Sequence, residues 1–255
     1  KRAEEKIKNH AAKLEQANLE LEQITYAATH DLKEPLRKIY SFSERLETQF
    51  SNVLGERGRD YVSRIQSAAE RMHLLINDLL SYSRISNQTF SFGEVDLNKT
   101  VRDVISDLEV SIEQAKGTIK IDDLLIIEAD AIQIRQLFQN LISNALKFRK
   151  KDVPPIVTIY GSYSIGSENT TVCHIYISDN GIGFDQQYAE QIFAVFQRLH
   201  GRDEYEGTGV GLSICRKIAR RHGGDIIAQS SPGSVAVFIV TLPIKQTRGE
   251  KHDQE

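Results

Sequence analysis

The 255-residue chain is poor in the features that mark specialised scaffolds. Its two cysteines, Cys173 and Cys215, stand apart in apolar surroundings without C-x-x-C spacing, which excludes a disulfide-stapled fold, a zinc ribbon and a dithiol redox motif. Core thiols in a reducing compartment are expected. No apolar run approaches the roughly 18 residues of a membrane-spanning helix, and the start Lys1-Arg2-Ala3-Glu4-Glu5-Lys6 is too charged for a secretory signal. Neither charge dominates: 32 Lys and Arg against 35 Asp and Glu leave a net charge of −3, which argues against nucleic-acid binding through bulk charge. The chain begins at Lys1 and not at Met, so we expect a piece of a longer protein. This piece is expected to be cytoplasmic, whether the whole is membrane-attached or soluble.

The commonest nucleotide motifs are missing as well. There is no GxxxxGK[ST] loop and no HRD or DFG, so neither a P-loop nor a protein-kinase-type site is available. Gly207-Thr208-Gly209-Val210-Gly211 superficially suggests a dinucleotide loop, but the preceding Leu199 to Glu206 is too polar for a buried strand.

What is present changes period along the chain. From Ile7 an apolar heptad runs through Leu14 and Leu21 to Ala28, with Ala17 and Ile24 between, and predicts a parallel coiled coil over residues 1–24. A solvated amphipathic helix is the alternative. A second helical pattern over residues 57–86 aligns Tyr61, Ile65, Ala68, Met72, Leu75, Leu79 and Tyr82 on one face, and Phe50 to Glu56 reads as a hairpin loop. Two such helices leave a stripe each uncovered, so residues 25–89 predict an antiparallel hairpin that dimerises into a four-helix bundle. Over residues 90–244 strands are expected near 119–121, 156–160, 172–177, 226–228 and 235–242, and helices near 97–115, 131–148 and 210–221. Strands arriving in pairs predict an α/β sandwich, a mixed sheet with helices on one face. Residues 245–255 read as a disordered tail.

Three segments of this second part carry candidate chemistry. Gly207 to Gly211 opens directly into a helix whose free N–H groups can hold phosphate, or it is a plain entry turn. Asn140, Asn144 and Lys147 share one face of an otherwise apolar helix. Amides and an ammonium placed there suit a Mg²⁺-triphosphate, the amide oxygen ligating the cation, though two solvated Asn would look the same. Asp179-Asn180-Gly181-Ile182-Gly183 ends an apolar strand, where a carboxylate can accept from an exocyclic amine; a simple Asp-Asn-Gly turn is the alternative. The long stretch from Phe184 to Gly207 reads as a mobile lid.

Together these segments resemble the sensor histidine kinases. Asn140-Leu-Ile-Ser-Asn144-Ala-Leu-Lys147-Phe148 is similar to their N box, Asp179 to Gly183 to the G1 box, Phe193-Ala-Val-Phe196-Gln-Arg198 to the F box, and Gly207-Thr208-Gly209-Val-Gly211-Leu212 to the G2 box. Near the front, Thr29-His30-Asp31-Leu32-Lys33-Glu34-Pro35-Leu36 looks like the H box. The resemblance covers residues 20–243, and Arg198 to Gly209 is similar to phytochrome-like and PAS-linked members.

The resemblance implies a fold and a division of labour. The second part would be a GHKL (Bergerat) ATP-binding domain with ATP and Mg²⁺ as cofactors. His30 would be the phosphoacceptor, with Asp31 fixing its tautomer and Pro35 kinking the helix beside it. Asn144 would bind Mg²⁺, Asn140 and Lys147 the phosphate and metal region, Phe148 the base and Asp179 the adenine amine. Gly181, Gly183, Gly207, Gly209 and Gly211 would shape the pocket with Phe196, Thr208 and Leu212, and Arg198 would lie near the γ-phosphate. Wider GHKL ATPases carry a carboxylate where Asn140 stands; an amide is no base, which favours transfer to His30 over hydrolysis. Partners would be a second copy of the chain, a response-regulator receiver and an upstream sensor outside this sequence. Glu34 replaces the Thr or Asn associated with phosphatase activity, and Pro232 to Val237 retains only the first glycine of the last family box, as a strand turn. A hydrolytic GHKL ATPase and an inactive signalling adaptor are the competing readings. His10, His73 and His222 are expected to be exposed bystanders.

Overall fold

The computed structural model describes residues 2–87, 92–165, 170–199, 201, 204–205 and 207–246; side chains are described from Thr29 onward, with Gln16 added and His30 excepted. The chain divides into two compact units, Lys1–Asn87 and Gln88–Glu255.

The first unit is one helix folded on itself. Helix α1 (Arg2–Asn87) is interrupted only at Gly55, whose φ of 63° lies where side-chain-bearing residues are strained. The arms meet beyond that turn: Gln66 Nε2 donates to Glu47 Oε2 at 2.8 Å across 19 positions, which a straight helix would hold about 28 Å apart. Thr29, Leu36 and Ser43 on the first arm, and Val62, Ala69, Ile76 and Ser83 on the second, are buried at every seventh residue. Several are small, which lets the two backbones approach. Leu32, Ile39, Leu46 and Val53, together with Ile65 and Met72, remain exposed. Of the face read from the sequence, Tyr61, Ile65 and Met72 are therefore uncovered in one chain, and the hairpin closes through the neighbouring stripe.

Pro35 lies inside the helix, and the non-helical dihedrals of α1 are at Gly55. Pro35 still lacks the N–H that the Asp31 carbonyl would accept. The heptad residues from Ile7 to Ala28 belong to the same helix, their side chains and that of His30 lying outside the described ones.

The second unit is a two-layer sandwich. Its elements are β1 (Gly93–Asp96), α2 (Leu97–Asp107), α3 (Glu109–Ala115), β2 (Thr118–Ile121), β3 (Ile126–Ala129), α4 (Ala131–Lys147), β4 (Ile156–Ile165), β5 (Thr171–Asp179), α5 (Gly211–Arg221), β6 (Asp225–Ser230) and β7 (Ala236–Pro243). The main sheet runs β2-β4-β5-β7-β6, with β2 parallel to β4 and the other pairs antiparallel. Alternate residues Val157 and Ile159, Cys173 to Asp179, and Ala236 to Leu242 are buried, giving the sheet one inner face. Against it lies the apolar side of α4, with Leu137, Phe138, Leu141 and Ile142 fully buried. The expected helix over 97–115 divides at Leu108, and the short pair β1 and β3 was not anticipated because four-residue strands show little periodicity.

Helices α4 and α5 run antiparallel, tied at three levels. Asn140 Nδ2 donates to the Gly211 carbonyl at 3.3 Å, Cys215 Sγ to Leu137 O at 3.8 Å, and the Asp130 N–H to His222 Nε2 at 3.1 Å. His222 is thus no bystander. It is fully buried, and its Nδ1 must carry the proton because the partner at 2.8 Å is the Ile218 carbonyl. Burial holds its pKa below the ordinary histidine value. His73, by contrast, is exposed and pairs with Asn77; His10 lies outside the described side chains. Both cysteines are buried free thiols. Backbone pairing reaches the expected boundary, where Ile244 donates to Thr171 O, and beyond it the Gln246 N–H donates to the Glu128 carboxylate; residues 247–255 lie outside the described residues.

Candidate functional site

The site is built from the end of α4, the turn after β5 and the loop opening α5. Helix α4 starts cleanly: Asp130 Oδ1 accepts the N–H groups of Ile132 and Gln133 at 3.0 and 3.1 Å. Its apolar stripe turns to the sheet, which leaves Asn140, Asn144 and Lys147 together on a half-buried face. Asn140 meets the first residue of α5. That helix has no side-chain N-cap, so its leading N–H groups face outward beside the Asn140 amide.

Asp179 is the last residue of β5 and only 5% exposed. Burial pushes its carboxyl up to about 6, partly offset by the Gly181 N–H that Oδ1 accepts at 2.8 Å. The following turn is pinned from three sides. Asn180 accepts from Ile156 N–H and donates to Pro154 O; Ile182 donates to Phe148 O at 2.9 Å; Gly233 donates to Ile182 O at 2.7 Å. Gly183, at φ 62°, would set a Cβ 2.2 Å from the Ser231 carbonyl. Pro232 to Val237 therefore supplies the turn on which this glycine rests.

The stretch read as a lid is partly structured. Two single 3₁₀ turns, Gln186–Tyr188 and Gln191–Phe193, fix its first half, and Phe193 is buried beneath the Arg216 guanidinium at 4.9 Å from the ring. Arg216 also pairs with Glu190 and Asp225. Beyond it, Phe196 is exposed at φ 64°, a strained value for an aromatic residue. Arg198 donates to the carbonyls of Gly207 at 2.7 Å, Gly201 at 3.3 Å and Tyr205. Here it holds the loop's own backbone. Lys147 Nζ lies 4.3 Å from the Phe148 ring centroid and would contact a Cβ at Gly207 at 2.7 Å.

The structure thus brings Asn140, Lys147, Phe148, Asp179, Gly181, Gly183, Gly207, Gly209 and Gly211 into one connected patch, with half-buried Asn144, Thr208 and Leu212 beside it. His30 and Asp31 belong to the other unit.

Residues 20–88 match the model of the His Kinase A phospho-acceptor domain, and residues 129–246 that of the histidine kinase-, DNA gyrase B- and HSP90-like ATPases. The chain thus joins a His Kinase A phospho-acceptor domain to a histidine kinase-type ATPase domain. The chain is similar to the phytochrome-like protein Cph1 of Synechocystis sp., 37% identical over 243 residues that cover 95% of this chain and 32% of that protein. It is also similar to the sensor histidine kinase WalK of Bacillus subtilis, 30% identical over 254 residues covering 94% and 40%. A crystal structure of full-length ShkA in complex with AMPPNP shares the fold at a TM-score of 0.67 and 22% identity, over 88% of this chain and 46% of that one. The chain spans about a third of the length of its phytochrome relatives. Among the described residues no helix is long and apolar enough to cross a membrane.

Two contacts that shape the candidate site have no part in the sequence reading: the Asn180 side chain, which lies within the expected G1 box and ties its turn to Ile156 and Pro154, and the Tyr205 ring, which meets Phe148. An aromatic residue two positions before a glycine loop was the available signal.

Proposed function

We propose that this chain is the autokinase core of a two-component system, which phosphorylates itself on His30 from ATP and passes the phosphoryl group to a response-regulator aspartate. The observation that carries the reading is the convergence of an uncapped helix start, Asn140 and Lys147 at one end of the patch with a buried carboxylate, Asp179, at the other. One end suits a triphosphate and the other a base bearing an exocyclic amine.

Each residue has a task in that reading. Asp179 accepts from the adenine amine while Phe148 supports the ring. The α5 N–H groups, Asn140 and Lys147 hold phosphate charge, and the Gly207 to Gly211 loop encloses it. Among the described residues no group of three or more His, Cys, Asp or Glu could hold a metal. A Mg²⁺ ion would therefore rely on the Asn144 amide oxygen and on nucleotide oxygens, and would supply charge neutralisation. The neutral imidazole of His30 attacks the γ-phosphorus in line; the new N–P bond forms as the bond to ADP breaks, and Asp31 stabilises the opposite ring N–H. Asn140 cannot activate water, which disfavours hydrolysis. The exposed stripe Leu32, Ile39, Leu46 and Val53 is the face for a second copy, completing a four-helix bundle.

Incubation with labelled Mg-ATP tests the proposal. Acid-labile label on the wild type and none on His30→Ala is expected. Label surviving in His30→Ala would overturn it, as would rapid phosphate release without label, the signature of a hydrolytic ATPase. Nucleotide binding with neither outcome would identify an adaptor.

A further inference from the structure

Tyr205 lies in the lid, in the candidate nucleotide site, yet no task above falls to it. Its ring centroid is 5.1 Å from that of Phe148, the planes inclined by 46°, and the residue is half-buried. Three constraints set it there. Arg198 donates to the carbonyls of both Tyr205 and Gly207, so one planar guanidinium fixes the backbone at the tyrosine and two residues on. The loop comes down on Lys147 at Gly207, where a side chain would meet the ammonium at 2.7 Å. Phe148 is itself immobilised, because its carbonyl accepts the Ile182 N–H and a Cβ at Gly181 would lie 2.4 Å from that oxygen. The tyrosine therefore stands against a ring locked to the turn that carries Asp179.

We propose that Tyr205 is the second aromatic wall of the nucleobase site, a specificity-determining residue that contacts the purine of ATP alongside Phe148. The inference rests on the ATP-site reading above. Two rings enclosing a base between parallel faces stand about 7 Å apart, whereas these form a closer, inclined corner. A base lying on Phe148 meets Tyr205 at its side. A bicyclic purine spans both rings, and a triphosphate without a base touches neither. Arg198 is then a positioning residue, acting on the base through the backbone of Tyr205.

Calorimetric titration of the full chain and its Tyr205→Ala and Tyr205→Phe variants with Mg-ATP and with Mg-tripolyphosphate tests this. Tyr205→Ala should weaken ATP binding about tenfold, in the range of losing one aromatic contact, while Tyr205→Phe stays within about twofold. Tripolyphosphate should bind all three proteins equally, which also reports an intact fold. ATP binding unchanged in Tyr205→Ala would overturn the contact alone, and equal losses for ATP and tripolyphosphate would reduce Tyr205 to a loop-closing residue and overturn it too. A wild type that binds no ATP would overturn the site reading itself.

Discussion

The backbone N–H of Asp130, the N-cap of α4, donates to Nε2 of His222 at the far end of α5, 92 positions away. This one bond joins the start of the helix bearing Asn140 and Asn144 to the end of the helix opened by the glycine loop. It needs a neutral ring, because a protonated His222 would present N–H to N–H. Folding lowers the His222 pKa below its ordinary value, so below that value the unfolded chain binds more protons and stability falls as pH decreases. The loss begins as pH drops through about 6.5 and continues to the lower folded value. The urea midpoint of the wild type should therefore fall more steeply between pH 7.5 and 5.5 than that of His222→Leu. That variant should itself be less stable by roughly 1–3 kcal/mol at pH 7.5, having orphaned the Asp130 N–H. Parallel pH slopes for the two proteins would show that the ring does not titrate in this way.

Asp179 carries the opposite shift, with a different consequence. Its carboxyl is pushed up to about 6 by burial, so at pH 7.5 it is ionised at some energetic cost and able to accept from an amine. As pH falls through 6 the proton occupies that acceptor, and ATP affinity should decline. Asp179→Asn keeps an oxygen for the Gly181 N–H but presents a weaker acceptor. It should bind ATP about ten- to a hundredfold more weakly, without a step in affinity near pH 6, and unfold at higher urea at pH 7.5. Calorimetric titration at pH 7.5 and 5.5, with a urea series, checks all three.

The main strands and helices of the ATPase unit are readable because each carries a long period: alternation through the nine residues of β5, and an apolar stripe from Ile134 to Leu146 in α4. The short pair β1 and β3 has neither. The patch residues were readable where polarity interrupts an apolar pattern, as Asn140 and Lys147 do on α4. His222 and Tyr205 were not, because their partners are a backbone N–H and a ring 57 positions away, both created by the fold. In the helical unit the heptad showed that two stripes exist, but not which one closes the hairpin. The folded hairpin buries the one carrying Leu36, Val62, Ala69 and Ile76.

Gly183 bears on how the G1 turn is supported. With φ at 62° and a Cβ position 2.2 Å from the Ser231 carbonyl, Gly183→Ala should separate the turn from its backing and lose ATP binding beyond detection. Gly93, which has nothing within 4 Å of its Cβ position, is the control, and Gly93→Ala should bind normally. If Gly183→Ala bound ATP like the wild type, the packing of this turn on Ser231 would have no bearing on the site.

In the proposed dimer the uncovered stripe of α1 is the contact face. Ile39 and Leu46 are exposed in one chain and lie away from the stripe that seals the hairpin. Ile39→Glu combined with Leu46→Glu should convert a dimer to a monomer in light scattering while leaving ATP affinity unchanged. Mixing His30→Ala chains with Asn144→Ala chains should then restore label only if phosphorylation crosses between subunits. A double variant that stayed dimeric would place the interface elsewhere.

One continuous helix from Arg2 carries both the heptad residues and His30, and we propose it as the route by which an upstream domain would act. A rotation imposed at Ile7 or Leu14 can pass along continuous helix to His30, because the gap that Pro35 leaves in the hydrogen-bond ladder lies beyond His30 and the non-helical dihedrals of α1 come only at Gly55. Inserting one residue beside Ala17 turns everything downstream by about 100° relative to the seam, and four residues return it to within about 40°. Autophosphorylation of the one-residue insertion should therefore differ severalfold from the wild type, with the four-residue insertion closer to normal. Equal labelling rates across insertions of one to four residues would exclude rotation along this helix as the signal.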